Sequence, residues 1–587
     1  MNSVDPTYRN PDLPVSERVE NLLAQMTLAE KAGLFFQTMI AMGPDGELAG
    51  PNPEFGLPGT SQYVLDKHMT HLNLFGPATS GRGLARWHNR IQELAASTRL
   101  GIPMTISTDP RHHFSENPGA SIIAGAFSQW PETLGFGAIG DADLVEKFGD
   151  IARQEYTAVG LRVALHPQID LATEPRWSRQ VGTFGENAEL TGKLGAAYIR
   201  GFQGSELGAH SVATMTKHFP GGGPQKDGED PHFAYGREQV YPGDNFEYHL
   251  KPFYDAFEAG TSQIMPYYGM PIGTEYEEVG FGFNKSIITG LLRERFKFDG
   301  IVCTDWGLLS DGEIMGQHFP ARAWGVEHLS VADRMVKVLN AGADQFGGED
   351  IPELLVELVE SGRITQERLD ASARRLLREK FVLGLFDNPY VDGDAADSIV
   401  GRADFLAAGE AAQRAAITVL SHGGNTPTLP LARGVRLYVE GIAPEVAAAY
   451  GEVVDTPEQA DFAIVRVNTP YEERATFFEN FFHAGSLEFA DEKIEHITRL
   501  AQTVPTILDV FLDRAAVLTP FHEKTALVGN FGASGAALLD VLFGVVTPQG
   551  KLPIELPRSQ AAAAASRPDM PSDTVDPLFT FGHGLSI

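Results

Sequence analysis

Five clusters of reactive or strongly hydrogen-bonding side chains stand apart in this sequence: Asp109, His166 with Arg176, Lys217-His218, Tyr267-Tyr268 and Asp305-Trp306. Carboxylates act as nucleophiles or proton carriers, imidazoles and phenols move protons, and ammonium and guanidinium groups donate to oxygen-rich ligands. Taken singly, each residue has a plainer use. Asp305 suits a helix N-cap, Lys217-His218 a surface charge beside a core histidine, and Trp306 simple packing. Cys303, two residues before Asp305, reads as a small buried apolar residue. The plainer uses leave the shared location unexplained, because every cluster falls at or just after the end of a short β-rich run.

Those runs are 104–107, 161–169, 211–216, 262–265 and 300–304, with another at 343–346. Helical periodicity fills the intervals, at 84–99, 144–159, 188–202, 285–296 and 331–340. Repeated strand–helix units predict a parallel α/β architecture, either a (β/α) barrel or a large doubly wound sheet. In both, the strand C-termini gather on one ligand-binding face. The chain turns polar and rich in turn formers at Asp387-Asn388-Pro389-Tyr390-Val391-Asp392-Gly393-Asp394. Beyond it lies a second α/β series, with strands predicted at 435–440, 462–467, 506–512 and 525–528 and helices at 491–501 and 536–542. The predicted division is a first domain over 1–386, a linker over 387–401 and a second domain over 402–587. The alanine run 561–565 reads as part of a surface loop.

Composition narrows the partners. The 587 residues hold 46 Lys+Arg against 77 Asp+Glu, a formal net charge of −31. Such a surface repels phosphate backbones and anionic headgroups, so no nucleic acid and no membrane is expected as a partner. One cysteine excludes an internal disulfide and a thiolate zinc cluster, and no metal or cofactor is expected. The glycines of Lys217-His218-Phe219-Pro220-Gly221-Gly222-Gly223 lack a following Gly-Lys-Ser/Thr, so they read as a flexible turn rather than a phosphate cradle. The polar opening Met1-Asn2-Ser3-Val4-Asp5-Pro6 has no apolar leader stretch, and a cytoplasmic location is expected. A homo-oligomer stays open.

Six stretches form an ordered set: the run 18–31, Pro175-Arg176-Trp177-Ser178-Arg179, Lys217-His218-Phe219, Thr304-Asp305-Trp306, Gly550-Lys551-Leu552-Pro553 and Phe581-Gly582-His583-Gly584-Leu585-Ser586. Together they resemble the signatures of glycoside hydrolase family 3, the β-glucosidase and β-glucan exohydrolase family, over essentially the whole chain. The resemblance implies a TIM-like (β/α)8 barrel followed by an α/β-sandwich domain. It implies a retaining, exo-acting β-glycosidase, foremost a β-glucosidase, acting on a small neutral glycoside or oligosaccharide. Asp305 matches the family nucleophile and Trp306 a sugar-binding wall. Asp109, Arg176, Lys217, His218 and Tyr268 match the residues that hold the sugar. In a retaining enzyme the nucleophile and the acid/base stand about 5–5.5 Å apart across the scissile bond. In two-domain members the acid/base is a glutamate on a loop of the second domain. In Thr469-Pro470-Tyr471-Glu472-Glu473-Arg474 it aligns with Glu473, with Glu472 the neighbour able to replace it.

A rival acid/base lies in Asp230-Pro231-His232, which is similar to the His–Asp pair of the family's β-N-acetylhexosaminidase branch. On that reading His232 and Asp230 transfer the proton, and a hexosaminidase-like or β-xylosidase activity becomes the alternative. A different class of reading is an inactive carbohydrate-binding protein on the same fold, against which the retention of Asp305 and Glu473 argues. Some positions depart from the family pattern: His113 stands for a glycine, Ser178 for a glycine and Gly182 for a glutamate. They bear on the pocket rim rather than the reaction. Phe477, Phe478, Phe481 and Phe482, on the loop of Glu473, read as core, with an apolar aglycone platform as the alternative.

Overall fold

Eight parallel strands close into a barrel: β1 Phe36–Ala41, β2 His71–Phe75, β3 Thr105–Thr108, β4 Leu161–Ala164, β5 Ala213–Phe219, β6 Gln263–Pro266, β7 Ile301–Trp306 and β8 Gln345–Gly347. The structure is a computed structural model that describes residues 4–77, 80–115, 125–423 and 429–586. The barrel settles the choice that periodicity left open, because β1 pairs with both β2 and β8 and leaves no edge. Helices cover the outside, so strands such as β4 and β5 are buried along their whole length. Side-chain caps start the covering helices: Ser80 for Gly81–Ala96, Asp141 for Ala142–Ala158, Asn187 for Ala188–Gln203 and Ser330 for Val331–Ala341.

The strand-like runs predicted from residue 104 onward correspond to β3 to β8, but β1 and β2 were not anticipated. Their buried polar residues break the apolar pattern. Gln37 Nε2 donates to Ser107 Oγ at 2.5 Å, and Ser107 Oγ donates to Asn73 Oδ1 at 2.8 Å. A polar network that satisfies itself inside a barrel looks, in sequence, like a loop.

The second half of the chain builds a six-stranded sheet from β9 Thr418–Ser421, β10 Arg436–Glu440, β11 Glu452–Val453, β12 Phe462–Asn468, β13 Thr506–Phe511 and β14 Ala526–Asn530. The spatial order is β9-β14-β13-β12-β10-β11, with β9 alone antiparallel to its neighbour. Helix Asp491–Thr503 buries Ile497 and Leu500 on one face, and helix Gly535–Leu542 buries Leu538 and Leu542 on the other. This is an α/β sandwich.

Residues 387–401 are not an open tether. Asp392 caps helix Gly393–Ile399, which lies against helix Gly81–Ala96, where Arg82 pairs with Asp397 at 2.8 Å. The alanine run is not a loop either. Ser559 caps helix Gln560–Ala565, and Ala563 is buried, as alanine's high helix propensity permits. Leu134, Ala138 and Ala172 of the barrel half share one buried cluster with Leu552 and Ile554 of the sandwich. The two halves are therefore packed through apolar core.

Candidate active site

The C-terminal end of β7 delivers Asp305 and Trp306. Asp305 Oδ1 accepts the Trp306 N–H at 2.8 Å, while Oδ2 is buried with no hydrogen-bond partner among the described residues. His218 Nε2 lies 3.8 Å from that oxygen. Trp306 is seated by the end of β8: a Cβ on Gly347 would fall 2.4 Å from Cε3 of the indole, and one on Gly348 2.8 Å from its Cδ1. Two consecutive glycines are needed where the ring crosses the backbone. Tyr268 donates its hydroxyl to the Trp306 carbonyl at 2.7 Å. Burial, with the Asp305 charge beside it, raises the Tyr268 phenol far above its ordinary range, so it stays a donor. Cys303 is buried as expected, and burial lifts its thiol well above the ordinary value, with the Asp305 and Asp344 charges adding.

Strand ends β3 and β5 bring Asp109 and Lys217 together. Lys217 Nζ donates to Asp109 Oδ1 at 2.8 Å, and their side chains are 10% and 13% exposed, enough to meet a ligand from inside the barrel mouth. His218 turns the other way, its Nδ1 2.7 Å from Asp170 Oδ2. Asp170 also accepts the backbone N–H groups of His218 and Gly222, at 3.1 and 2.5 Å. Burial pushes the Asp170 carboxyl up, but His218 and those N–H groups outweigh it and hold it below the usual carboxylate range.

Arg176, expected to hold the sugar, and Arg179, of which no role was expected, stand differently towards the buried carboxylates. Arg176 folds back on Glu174, at 2.9 Å, and faces Asp227 at 3.7 Å. It does not join Asp305 of β7 or Asp170, which follows β4. Arg179, three residues on, feels their charge, and its Nη1 is buried with no hydrogen-bond partner among the described residues. Burial pulls its guanidinium down, yet Tyr267, Asp230, Asp305 and Asp170 outweigh burial and hold the cation above its ordinary value. Asp170 and Arg179 were not among the expected site residues. The available signal was charge: Asp109 has Lys217, whereas Asp230 and Asp305 have no cation among the predicted set apart from Arg176.

His232 also reaches the site. Its Nδ1 lies 2.6 Å from Asp230 Oδ1, and its ring centroid is 4.7 Å from Tyr268 and 4.6 Å from Phe482. Trp324 Nε1 donates to the Pro231 carbonyl at 2.8 Å, which fixes the turn between the two residues. Burial lowers the His232 imidazole despite the Asp230 carboxylate, favouring a neutral ring.

The sandwich contributes the loop 469–486 after β12. It is tied to the barrel loop after β5 by Arg474 Nη2 to Glu229 Oε1 at 2.8 Å and by Tyr235 to Glu479 at 3.0 Å. Glu472 is turned back on its own loop, accepting the Ser486 N–H at 3.2 Å. Glu473 is exposed and has no hydrogen bond or ion pair among the described residues. The loop's phenylalanines are not ordinary core. Phe478 packs edge-on against Phe319 and Phe233, with centroids at 5.0 and 5.9 Å, and Phe477 is 56% exposed. Among the described residues no group of three or more His, Cys, Asp or Glu could hold a metal ion.

Comparison with known proteins adds the following. The glycosyl hydrolase family 3 N terminal domain model matches residues 59–379, and the glycosyl hydrolase family 3 C-terminal domain model matches 324–587. A probable β-glucosidase C of Aspergillus flavus is 52% identical over 99% of this chain and 92% of its own length. A periplasmic β-glucosidase/β-xylosidase of Dickeya chrysanthemi is 42% identical over 98% of this chain and 91% of its own length. A solved β-glucosidase of Erythrobacter marinus has a TM-score of 0.79 over 100% of this chain and 84% of that one, at 21% identity, a likeness of fold. The periplasmic name of the Dickeya relative corrects the expected cytoplasmic location. A chain with one cysteine makes no internal disulfide in any compartment, so cysteine content does not separate the two.

Proposed function

Because the chain belongs to glycosyl hydrolase family 3, it is a glycoside hydrolase of the retaining, exo-acting β-glucosidase type, and we propose that Asp305 is its nucleophile and Glu473 its acid/base. The observation that carries the first assignment is the buried Oδ2 of Asp305 at the barrel mouth, which has no hydrogen bond among the described residues and has His218 Nε2 near it, at 3.8 Å. That oxygen attacks the anomeric carbon while the bond to the aglycone oxygen breaks and Glu473 gives that oxygen its proton. The product of this step is a glycosyl ester on Asp305. Glu473, now a carboxylate, takes a proton from water, whose oxygen attacks the same carbon and frees Asp305.

The other residues bind and orient. Asp109 and Lys217 hold sugar hydroxyls as a pre-formed pair, and Trp306 covers the ring. Tyr268 stands beside Asp305, and His218 is fixed by Asp170. Arg179 offsets the charge of Asp170, Asp230 and Asp305, and we assign it the binding role expected of Arg176. Such buried polar groups select strictly, because a sugar lacking one hydroxyl leaves a partner unpaired. Glu472 is engaged within its loop, which favours Glu473 as the free carboxyl.

A second reading of the proton donor rests on the approach of the His232–Asp230 pair to Tyr268. The two are separated by comparing Glu473→Ala with His232→Ala on a substrate with a good leaving group. The variant that azide rescues, giving a β-glucosyl azide, has lost the acid/base. Rescue of His232→Ala alone overturns the assignment of Glu473. The overall reaction is checked by following the first sugar released from 4-nitrophenyl β-D-glucoside by NMR. The β-anomer is expected, and the α-anomer contradicts a retaining reaction.

A further inference from the structure

Two consecutive residues just after β13 hold the neck of the loop that carries Glu473. We propose that Arg514, with Asp513, is the positioning residue for the proton donor, fixing where the loop 469–486 stands over the barrel. This rests on the assignment of Glu473.

Arg514 is fully buried. Its Nη1 donates to the carbonyl oxygens of Arg176 and Gly485, at 3.0 and 3.1 Å. Its Nη2 donates to those of Pro470, Ala484 and Ser486, at 2.6, 3.3 and 2.9 Å. Three separate segments therefore converge on one guanidinium: the entry of the loop, its exit, and the barrel turn that leads to Arg179. Asp513 acts on the same neck. It accepts from the Thr469 hydroxyl, and its other oxygen lies 2.5 Å from His483 Nδ1. The His483 ring stacks on Tyr471, with centroids 4.3 Å apart and planes at 7°. The Glu472 N–H closes the neck onto the Ala484 carbonyl at 3.0 Å, and Glu473 is the next residue.

The remaining polar ties between this loop and the barrel are weaker anchors. Arg474–Glu229 and Tyr235–Glu479 are partly exposed, and exposed polar pairs hold a loop loosely. The neck is the buried polar contact, beside the packing of Phe478 and Phe482 on Phe233, Phe319 and His232. The two terminal nitrogens of the guanidinium carry four N–H groups in a rigid plane and share them among these five carbonyls, whereas an ammonium offers three on a flexible stem, so lysine cannot span the same set. The Arg176 carbonyl belongs to the turn that presents Arg179. One side chain thus relates the segment bearing the proton donor to the segment bearing the site's cation. A displacement of about 1 Å at a reacting group costs on the order of 10²-fold in rate.

A merely structural role predicts loss of stability and equal loss on every substrate. A positioning role predicts loss where protonation matters. The test uses the full chain as Arg514→Lys, Asp513→Asn, Glu473→Gln and the double variant Arg514→Lys/Glu473→Gln. For each, kcat/KM is measured on aryl β-D-glucosides with leaving groups from 2,4-dinitrophenol to phenol, together with Tm. Glu473→Gln is expected to lose most on the phenyl glucoside and least on the dinitrophenyl glucoside, whose departure needs no proton. Arg514→Lys and Asp513→Asn are expected to follow that selectivity, with Arg514→Lys losing on the order of 10²-fold on the phenyl glucoside. The double variant is expected to be no slower than Glu473→Gln. If Arg514→Lys does not fold, Asp513→Asn carries the comparison. Equal losses across all leaving groups, wild-type rates throughout, or a multiplicative double variant overturn the proposal while leaving Glu473 in place. A Glu473→Gln enzyme with unaltered leaving-group dependence overturns the assignment of Glu473, and this proposal with it.

Discussion

Arg179 sets a positive charge against the carboxylates of Asp170, Asp230 and Asp305. Removing one partner from a buried charge cluster leaves uncompensated charge, which is costly. Arg179→Met is therefore expected to lower kcat/KM on 4-nitrophenyl β-D-glucoside by on the order of 10²–10³-fold. Arg176→Met, which removes a partner of Glu174, is expected to change it by less than about tenfold, since no sugar contact is lost. Equal losses would contradict the assignment of the binding role to Arg179 rather than Arg176. The choice between these arginines was not legible in Pro175-Arg176-Trp177-Ser178-Arg179, because side-chain direction in an irregular turn follows no period. The turn is set by the Trp177 N–H on the Glu174 carbonyl at 3.1 Å, and Glu174 also captures Arg176. In contrast, Asp109, Lys217, His218, Tyr268 and Asp305 were legible, since each ends or follows a strand.

At the scale of the element, the adjoining ends of β7 and β8 form one unit, in which Gly347 makes room for Trp306. A methyl at Gly347 would stand 2.4 Å from the indole and 2.5 Å from the Thr304 carbonyl. Gly347→Ala is expected to destabilise the protein by about 1–3 kcal/mol, as overpacking does. It should also displace Trp306, raising KM for glucosides. A variant with unchanged Tm and KM would show that the indole is not held there. Strands β3 to β8 were readable because their apolar runs alternate with periodic helices. Strands β1 and β2 were not, since Gln37, Ser107 and Asn73 satisfy one another inside the barrel. The loop 469–486 was readable as the carrier of Glu473. Its neck was not, because Arg514 lies almost thirty residues further along and contacts only backbone carbonyls, which any sequence supplies.

At the scale of the whole molecule, three buried glutamates among the described residues have carboxyls pushed up to about 7: Glu132, Glu186 and Glu349. Burial is the main cause in each. For Glu186 the neighbouring Glu555 charge adds to it, against the Ser572 hydroxyl that donates at 2.6 Å. The unfolded chain releases these protons near pH 4.3, whereas the native state keeps them until about pH 7. Native protein thus binds more protons across that window, and stability falls as pH rises through it. For one such group the loss amounts to about 3 kcal/mol by neutral pH. Glu186→Gln, which stays neutral, is expected to melt above the wild type at pH 8, with the gap closing towards pH 5. A gap independent of pH would contradict this account of the junction between barrel and sandwich. The negative charge of −31 is compatible with a neutral substrate, and function turns on few of the 77 acids. The central claim is that Asp305 becomes covalently glycosylated, and it is tested most directly by trapping. After treatment with 2,4-dinitrophenyl 2-deoxy-2-fluoro-β-D-glucoside, peptide mass mapping should find one fluoroglucosyl ester, on Asp305, in inactivated enzyme. A label on another carboxylate would contradict the account.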